Sequence, residues 1–290
     1  MFEIAIEQQQ YKTYTIVDNA TQSSLAVVPE RGGIITSWIV QGHELFYLDE
    51  ERFKDPSLSV RGGIPLLFPI CGNLPDDVYS VQNQAYQLKQ HGFGRTSPWE
   101  VTHQSTTENE ASLTLTLKSN EATRAVYPFE FVLEYTYVMK GNVLKLQQRH
   151  TNLSEVPMPF STGIHPYFAV QDKARLDIDI PSTQYQIKSN PECHSFEGSF
   201  DFSQEEIDFA FVDLTGTTSS VIDRTTDRKL TLEFDDYYST LVFWAVAGKD
   251  FYCLEPWTGP RNAINTGNHL ITVAPGETVE THITMTVENL

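Results

Sequence analysis

Ala111-Ser112-Leu113-Thr114-Leu115-Thr116-Leu117 sets an apolar side chain against a hydroxyl at nearly every step. In an extended chain, successive side chains point to opposite faces. The leucines would then line one face and the hydroxyls the other, as in a half-buried strand. The same period of two recurs along the chain. Leu176, Ile178 and Ile180 are separated by Asp177 and Asp179, and Leu230, Leu232, Phe234 and Ile283, Met285, Val287 form two more rows. Phe131–Met139 and Val143–His150 flank Lys140-Gly141-Asn142, which reads as a hairpin closed by a glycine-containing loop. No window carries a long amphipathic helix; Ser203-Gln204-Glu205-Glu206 could cap one short turn. Strands that follow one another without helices pair antiparallel, and so many of them bury their apolar faces most simply as two packed sheets. The expected fold is all-β, a large antiparallel β-sandwich. With no Ser-, Gly- or Pro-rich linker, residues 1–290 are expected to form a single domain.

Composition agrees. Of 290 residues, 40% are hydrophobic, and the 17 Phe, 13 Tyr and 4 Trp suit a pleated surface. The longest apolar runs, such as Leu241–Ala247, are strand-sized and far short of the roughly 20 residues of a membrane-spanning helix. The first residues, Met1-Phe2-Glu3-Ile4-Ala5-Ile6-Glu7, lack the basic and apolar regions of a signal peptide. Three scattered cysteines, Cys71, Cys193 and Cys253, make neither a disulfide framework nor a zinc motif, which points to a reducing, cytoplasmic setting. The net charge of −18 argues against nucleic acid as a partner, because counterion-release binding needs a basic face. It also means that an anionic substrate would need local arginines.

Three segments have the residue types of an acid/base site. In Ser161-Thr162-Gly163-Ile164-His165-Pro166-Tyr167-Phe168, a histidine sits where a proline stops a strand. With an ordinary pKa of about 6.5, His165 is a candidate general acid near neutrality. In Leu254-Glu255-Pro256-Trp257, Glu255 follows four apolar or aromatic residues and is read as a strand end. Burial there would raise its pKa and make it a better base, with Trp257 as an apolar wall or a stacking face for a ring. In Gln90-His91-Gly92-Phe93-Gly94-Arg95, Gly92 permits close approach of the backbone beside His91. Arg61 and Arg95 are candidate donors to hydroxyls or phosphate. Asp208 is a candidate acceptor for two hydroxyls. The proline- and glycine-containing segment from Gly62 to Gly94 is read as a long ordered binding loop. His91, His165 and Glu255 could ligate zinc, but without close ligand spacing no metal is expected.

Taken in order, Gly32-Gly33-Ile34, Arg61-Gly62-Gly63-Ile64-Pro65, Phe68-Pro69, Gln90-His91-Gly92-Phe93, Gly163-Ile164-His165-Pro166-Tyr167-Phe168 and Leu254-Glu255-Pro256-Trp257 resemble the aldose 1-epimerase (galactose mutarotase-like) family. The resemblance implies a supersandwich with a sugar site on one concave face, no cofactor, and interconversion of the α and β anomers of an aldohexose. It implies that His165 protonates the ring oxygen and that Glu255 takes the proton of the anomeric hydroxyl. His91 would hydrogen-bond near the anomeric centre, with Arg61 and Asp208 on hydroxyls. Arg61 and Arg95 also resemble the phosphate-binding arginines of a hexose-6-phosphate 1-epimerase branch. The partner is therefore a small sugar or sugar phosphate, with the free aldohexose expected first. A carbohydrate-binding module without turnover and a glycosidase using Asp208 and Glu255 are the other readings.

Overall fold

A computed structural model describes residues 2–188 and 190–290; Met1, where the stretch read for a signal peptide begins, and Ser189 lie outside the described residues. Three large antiparallel sheets dominate. Residues 2–44 give a five-stranded meander in sequence order, from Phe2–Gln8 to His43–Glu44. An eight-stranded sheet runs 176–179, 218–223, 228–234, 278–289, 143–152, 131–140, 111–118, 100–106. A second eight-stranded sheet contains the strands 206–211, 240–246, 251–257, 163–164 and 66–67 in that order, with Tyr167–Ala169 also paired to 251–257. One apolar core joins residues of all three, among them Trp38, Tyr135, Leu146, Phe243 and Leu254. The sandwich expected from the alternation is thus present.

The first eight-stranded sheet follows the period-two pattern closely. Phe131, Leu133, Tyr135, Tyr137 and Met139 are buried while their neighbours are half-exposed or exposed, and Leu113, Leu115 and Leu117 are buried likewise, though Thr116 between the last two is buried as well. The hairpin turns on Gly141-Asn142, with Lys140 opposite Val143 and Gly141 at φ 57°. Further along the inward face of the 143–152 strand come Gln148, His150 and Asn152, all fully buried. Each is satisfied. Tyr238 and Thr281 donate to Gln148 Oε1 at 2.8 and 3.0 Å, His150 Nε2 meets the Tyr135 hydroxyl at 2.9 Å, and Asn152 donates to Val273 O at 2.9 Å. A buried polar group so matched costs little.

Three sequence expectations need correction. The turn at Phe202-Ser203 is not helical and leads straight into the Glu206–Phe211 strand; among the described residues the α-helices are Glu50–Lys54, Glu121–Val126 and Ala263–Thr266. The 62–94 segment is not one irregular loop, because it holds the Leu66–Leu67 strand and a hairpin of Val78–Val81 with Gln84–Gln87. Glu255 does not end its strand. The strand runs from Phe251 through Pro256 to Trp257 and is buried on both faces, one against the core and one beneath a cleft.

Candidate active site

The site is built where two prolines open one hydrogen-bond ladder. Gly163 pairs with Trp257, and Tyr167 pairs with Cys253. His165, midway between Gly163 and Tyr167, therefore faces Glu255, midway between Cys253 and Trp257. Thr258 N–H bonds to Thr162 O across this boundary at 2.9 Å. Two residues back, the same side of the strand presents Pro256, which has no N–H to give. Pro166 interrupts the other strand at the same level. Gly163 is required by close approach: a Cβ there would lie 2.7 Å from Pro256 O and 2.8 Å from the Trp257 ring. A polar chain ties this junction to the other sheet, from His150 through the Tyr135 hydroxyl to Thr162 Oγ1 at 3.1 Å and on to Leu67 O at 3.0 Å.

His165 is held from behind as well. Its N–H bonds to Pro65 O at 3.1 Å, and its ring lies parallel to Tyr167, centroids 4.7 Å apart. Nε2 meets Glu255 Oε1 at 3.4 Å, with Glu255 only 1% exposed. Burial, and then Arg95, push the imidazole down to about 3. Burial, and then Asp208, push the carboxyl well above its usual range, against the opposing charge of Arg261. The resting pair thus differs from the expected charged donor. Both shifts run against charge out of water, which favours a single proton shared by the pair and placed toward the carboxyl.

His91 approaches from the loop. Gly92 (φ 64°) makes this possible, because a Cβ would come within 2.3 Å of Phe68 O, which accepts from Phe93 N–H at 2.9 Å. His91 Nδ1 accepts from Gly72 N–H at 3.1 Å, so a neutral ring carries its hydrogen on Nε2. The Gln90 side-chain amide stands 3.2 Å from that nitrogen. Burial and the nearby His165 hold this imidazole neutral. Its centroid is 5.5 Å from His165 and 5.6 Å from Trp257.

All seven residues singled out in the sequence, His91, His165, Glu255, Arg61, Arg95, Asp208 and Trp257, line one cleft of about 310 Å³. Several others were missed. Arg261 donates to Asp208 Oδ1 at 2.5 Å and lies over the Trp257 ring at 5.3 Å, fixing both. It ends the Trp257-Thr258-Gly259-Pro260-Arg261 run, so the signal was present. Trp244, opposite Asp208 in the neighbouring strand, was hidden in an apolar run. Arg52 and Lys188 have no local signal at all. Together Arg52, Arg61, Arg95, Lys188 and Arg261 surround a cleft whose carboxylates are Glu206, Asp208 and Glu255.

Residues 12–286 match the aldose 1-epimerase family model. The chain is similar to the LacX protein of Lactococcus lactis, 28% identical over 238 residues, 72% of this chain and 78% of that one. It is 27% identical over 151 residues, 51% of this chain and 46% of the other, to a protein of Salmonella typhimurium provisionally named a glucose-6-phosphate 1-epimerase. Among solved structures, the Slr1438 protein of Synechocystis is 43% identical with a TM-score of 0.95, both chains being covered in full. A galactose mutarotase-like protein of Clostridium acetobutylicum, 22% identical with a TM-score of 0.84 over 100% of this chain and 99% of that one, shares the fold. With the matched region spanning nearly its whole length, this chain belongs to the aldose 1-epimerase family, a family of isomerases.

Proposed function

We propose that the cleft interconverts the anomers of an aldohexose by acid/base ring opening and closure. The observation that carries this is the 3.4 Å contact of one buried imidazole with one buried carboxyl. The ring oxygen and the anomeric hydroxyl of a pyranose hang from the same carbon. A donor and an acceptor for them must therefore be close neighbours that share a proton. Transfer of the shared proton from Glu255 to His165 Nε2 arms the pair. His165 then protonates the ring oxygen while Glu255 takes the O1 proton, and the C1–O5 bond breaks to leave the open aldehyde. The pair still holds one proton, now on Glu255. After rotation about C1–C2, Glu255 returns it to the carbonyl oxygen as O5 attacks C1 and gives its own proton to His165. Atoms balance, and no covalent intermediate is needed. His91 Nε2–H, held by its neighbours, supports the developing charge near C1, and Asp208, Arg61 and Trp257 hold the remaining ring so that C1 alone turns. About 310 Å³ suits a single sugar ring.

A second reading concerns the substituent. The free sugar was expected first, partly because of the −18 net charge. Locally the balance is reversed. Among the described residues Arg52 and Arg95 donate only to backbone carbonyls, at 3.0 Å to Ser59 O and 2.9 Å to Gln90 O, which leaves them without a paired carboxylate, while burial raises the proton affinity of Glu255. This favours an anionic sugar such as a hexose phosphate.

Anomer exchange followed by NMR from pure α-glucose and from α-glucose 6-phosphate tests both. The expected result is acceleration of the phosphate, declining as salt is added and the rim charges are screened. Equal acceleration of both sugars at all salt concentrations would remove the anion preference. Binding without acceleration of either would leave a carbohydrate-binding module.

A further inference from the structure

Behind the acid/base pair lies a third group that the proposed chemistry does not use. Cys253 is fully buried, two residues before Glu255 on the same strand and therefore on the same face. It faces Tyr167 on one neighbouring strand and Trp244 on the other. Its Sγ, a nitrogen of His165 and a carboxylate oxygen of Glu255 all lie within 4.8 Å of one another. Cys253 does not itself line the cleft, so a sugar resting there would not touch it.

We propose that His165, Cys253 and Glu255 form a site for a thiophilic divalent cation of the zinc class, and that its occupancy switches the cleft off. Around a tetrahedral ion with bonds of about 2.0 Å to nitrogen and oxygen, those two ligands stand about 3.3 Å apart. The Nε2–Oε1 separation here is 3.4 Å, so these two ligands are already spaced for it. The thiol closes the third position by a small shift, and the fourth opens toward the cleft. Glu255 Oε2 is a further buried oxygen without a hydrogen-bond partner. The thiol proton and the single proton held by the pair leave to solvent. One thiolate and one carboxylate then neutralise the dication, so the occupied site adds no net charge beside the arginines. Magnesium and calcium, which require six or more oxygens, are not accommodated. Because two of the three ligands are the proposed acid and base, ion and sugar exclude each other. The inhibitory consequence rests on that proposed mechanism; the binding does not.

The test separates the two. Co²⁺ is added to the full-length protein and the spectrum recorded. A thiolate-to-cobalt charge-transfer band with tetrahedral ligand-field bands is expected at one equivalent, lost in Cys253→Ala and Cys253→Ser and kept in Cys71→Ala and Cys193→Ala. Zn²⁺ is then expected to inhibit anomer exchange of the wild type. Cys253→Ala, with an unchanged basal rate, should need at least tenfold more of it. Absence of the charge-transfer band, or its persistence in both Cys253 variants, would overturn the site. Equal zinc sensitivity of wild type and Cys253→Ala would overturn the switch. A cobalt band in a protein that accelerates neither sugar would keep the site and discard the mechanism.

Discussion

The 131–140 and 251–257 strands are both central and both antiparallel, yet they differ in what they bury. The first alternates strictly, with an aromatic or aliphatic row inward and half-exposed residues outward. The second is buried at all seven positions, and its row Phe251, Cys253, Glu255, Trp257 includes a carboxylate. One strand has a single interface to satisfy, the apolar core. The other has two, and the second is a polar cleft that must exclude water well enough to shift proton affinities. Regular alternation marks stability, whereas its breakdown into continuous burial with a charged residue marks chemistry.

Exchanging atoms on each side should break the two sheets in different ways. Glu255→Gln and His165→Asn are expected to lower the acceleration of anomer exchange on the order of a hundred- to ten-thousand-fold, the usual range for removing a positioned acid or base. Glu255→Gln should leave the unfolding midpoint unchanged or raised above pH 7, since it removes a carboxyl whose ionised form the fold disfavours. A variant of either kind with wild-type rates would refute the assigned roles.

The converse change is Leu146→Ala, at a fully buried position on the inward row of the 143–152 strand. A loss of about 2–5 kcal/mol in urea unfolding is expected from lost burial and the cavity left behind, with the rate per folded molecule retained. A rate loss without a stability loss would show that the two sheets do not divide their labour in this way.

The smallest effect is one the two sheets share. His150 in one and His165 in the other are each pushed down to about 3 by burial. Between that value and about 6.5 the unfolded chain binds more protons than the folded one, so stability falls as the pH drops. At pH 5 each buried imidazole costs about 2 kcal/mol relative to pH 7. Glu255 acts in the opposite sense, gaining its proton more readily in the fold. The difference in unfolding free energy between pH 7 and pH 5 should shrink by about 2 kcal/mol in His150→Asn and by a similar amount in His165→Asn. An unchanged difference in both would mean that the imidazoles are hydrated.

The alternating strands were legible because each reads from its own residues, and Leu113 to Leu117 needs no partner to be recognised. Gln148, His150 and Asn152 were not, since their partners, such as Tyr135 and Tyr238, lie far away in sequence and polar residues at inward positions look like a break in the pattern. The local motifs around His165, His91 and Glu255 were visible, and their meeting was implied by family resemblance alone. Pro256 was misread as a stop because a strand missing one N–H is tolerable only where the adjoining strand is itself interrupted, which no single segment reveals. Arg52 and Lys188 left no trace, as a surface arginine or lysine looks alike whether or not a cleft lies beside it.

The residues that surround the cleft come from two sources. His165, Glu255, Trp257, Trp244 and Asp208 stand on or between adjacent paired strands, whereas Arg52, Arg61, Gln90, Arg95, Lys188 and Arg261 come from a short helix, turns and connecting segments. Interstrand spacing thus sets how far apart the proposed donor and acceptor stand, independently of what decorates the mouth. The proposed acid/base pair and the charged mouth are separable parts, while Asp208 and Trp257, proposed to hold the ring, belong with the strands. A lineage could exchange one sugar for another by rewriting turns, and an engineer could do the same, without retuning the machinery beneath.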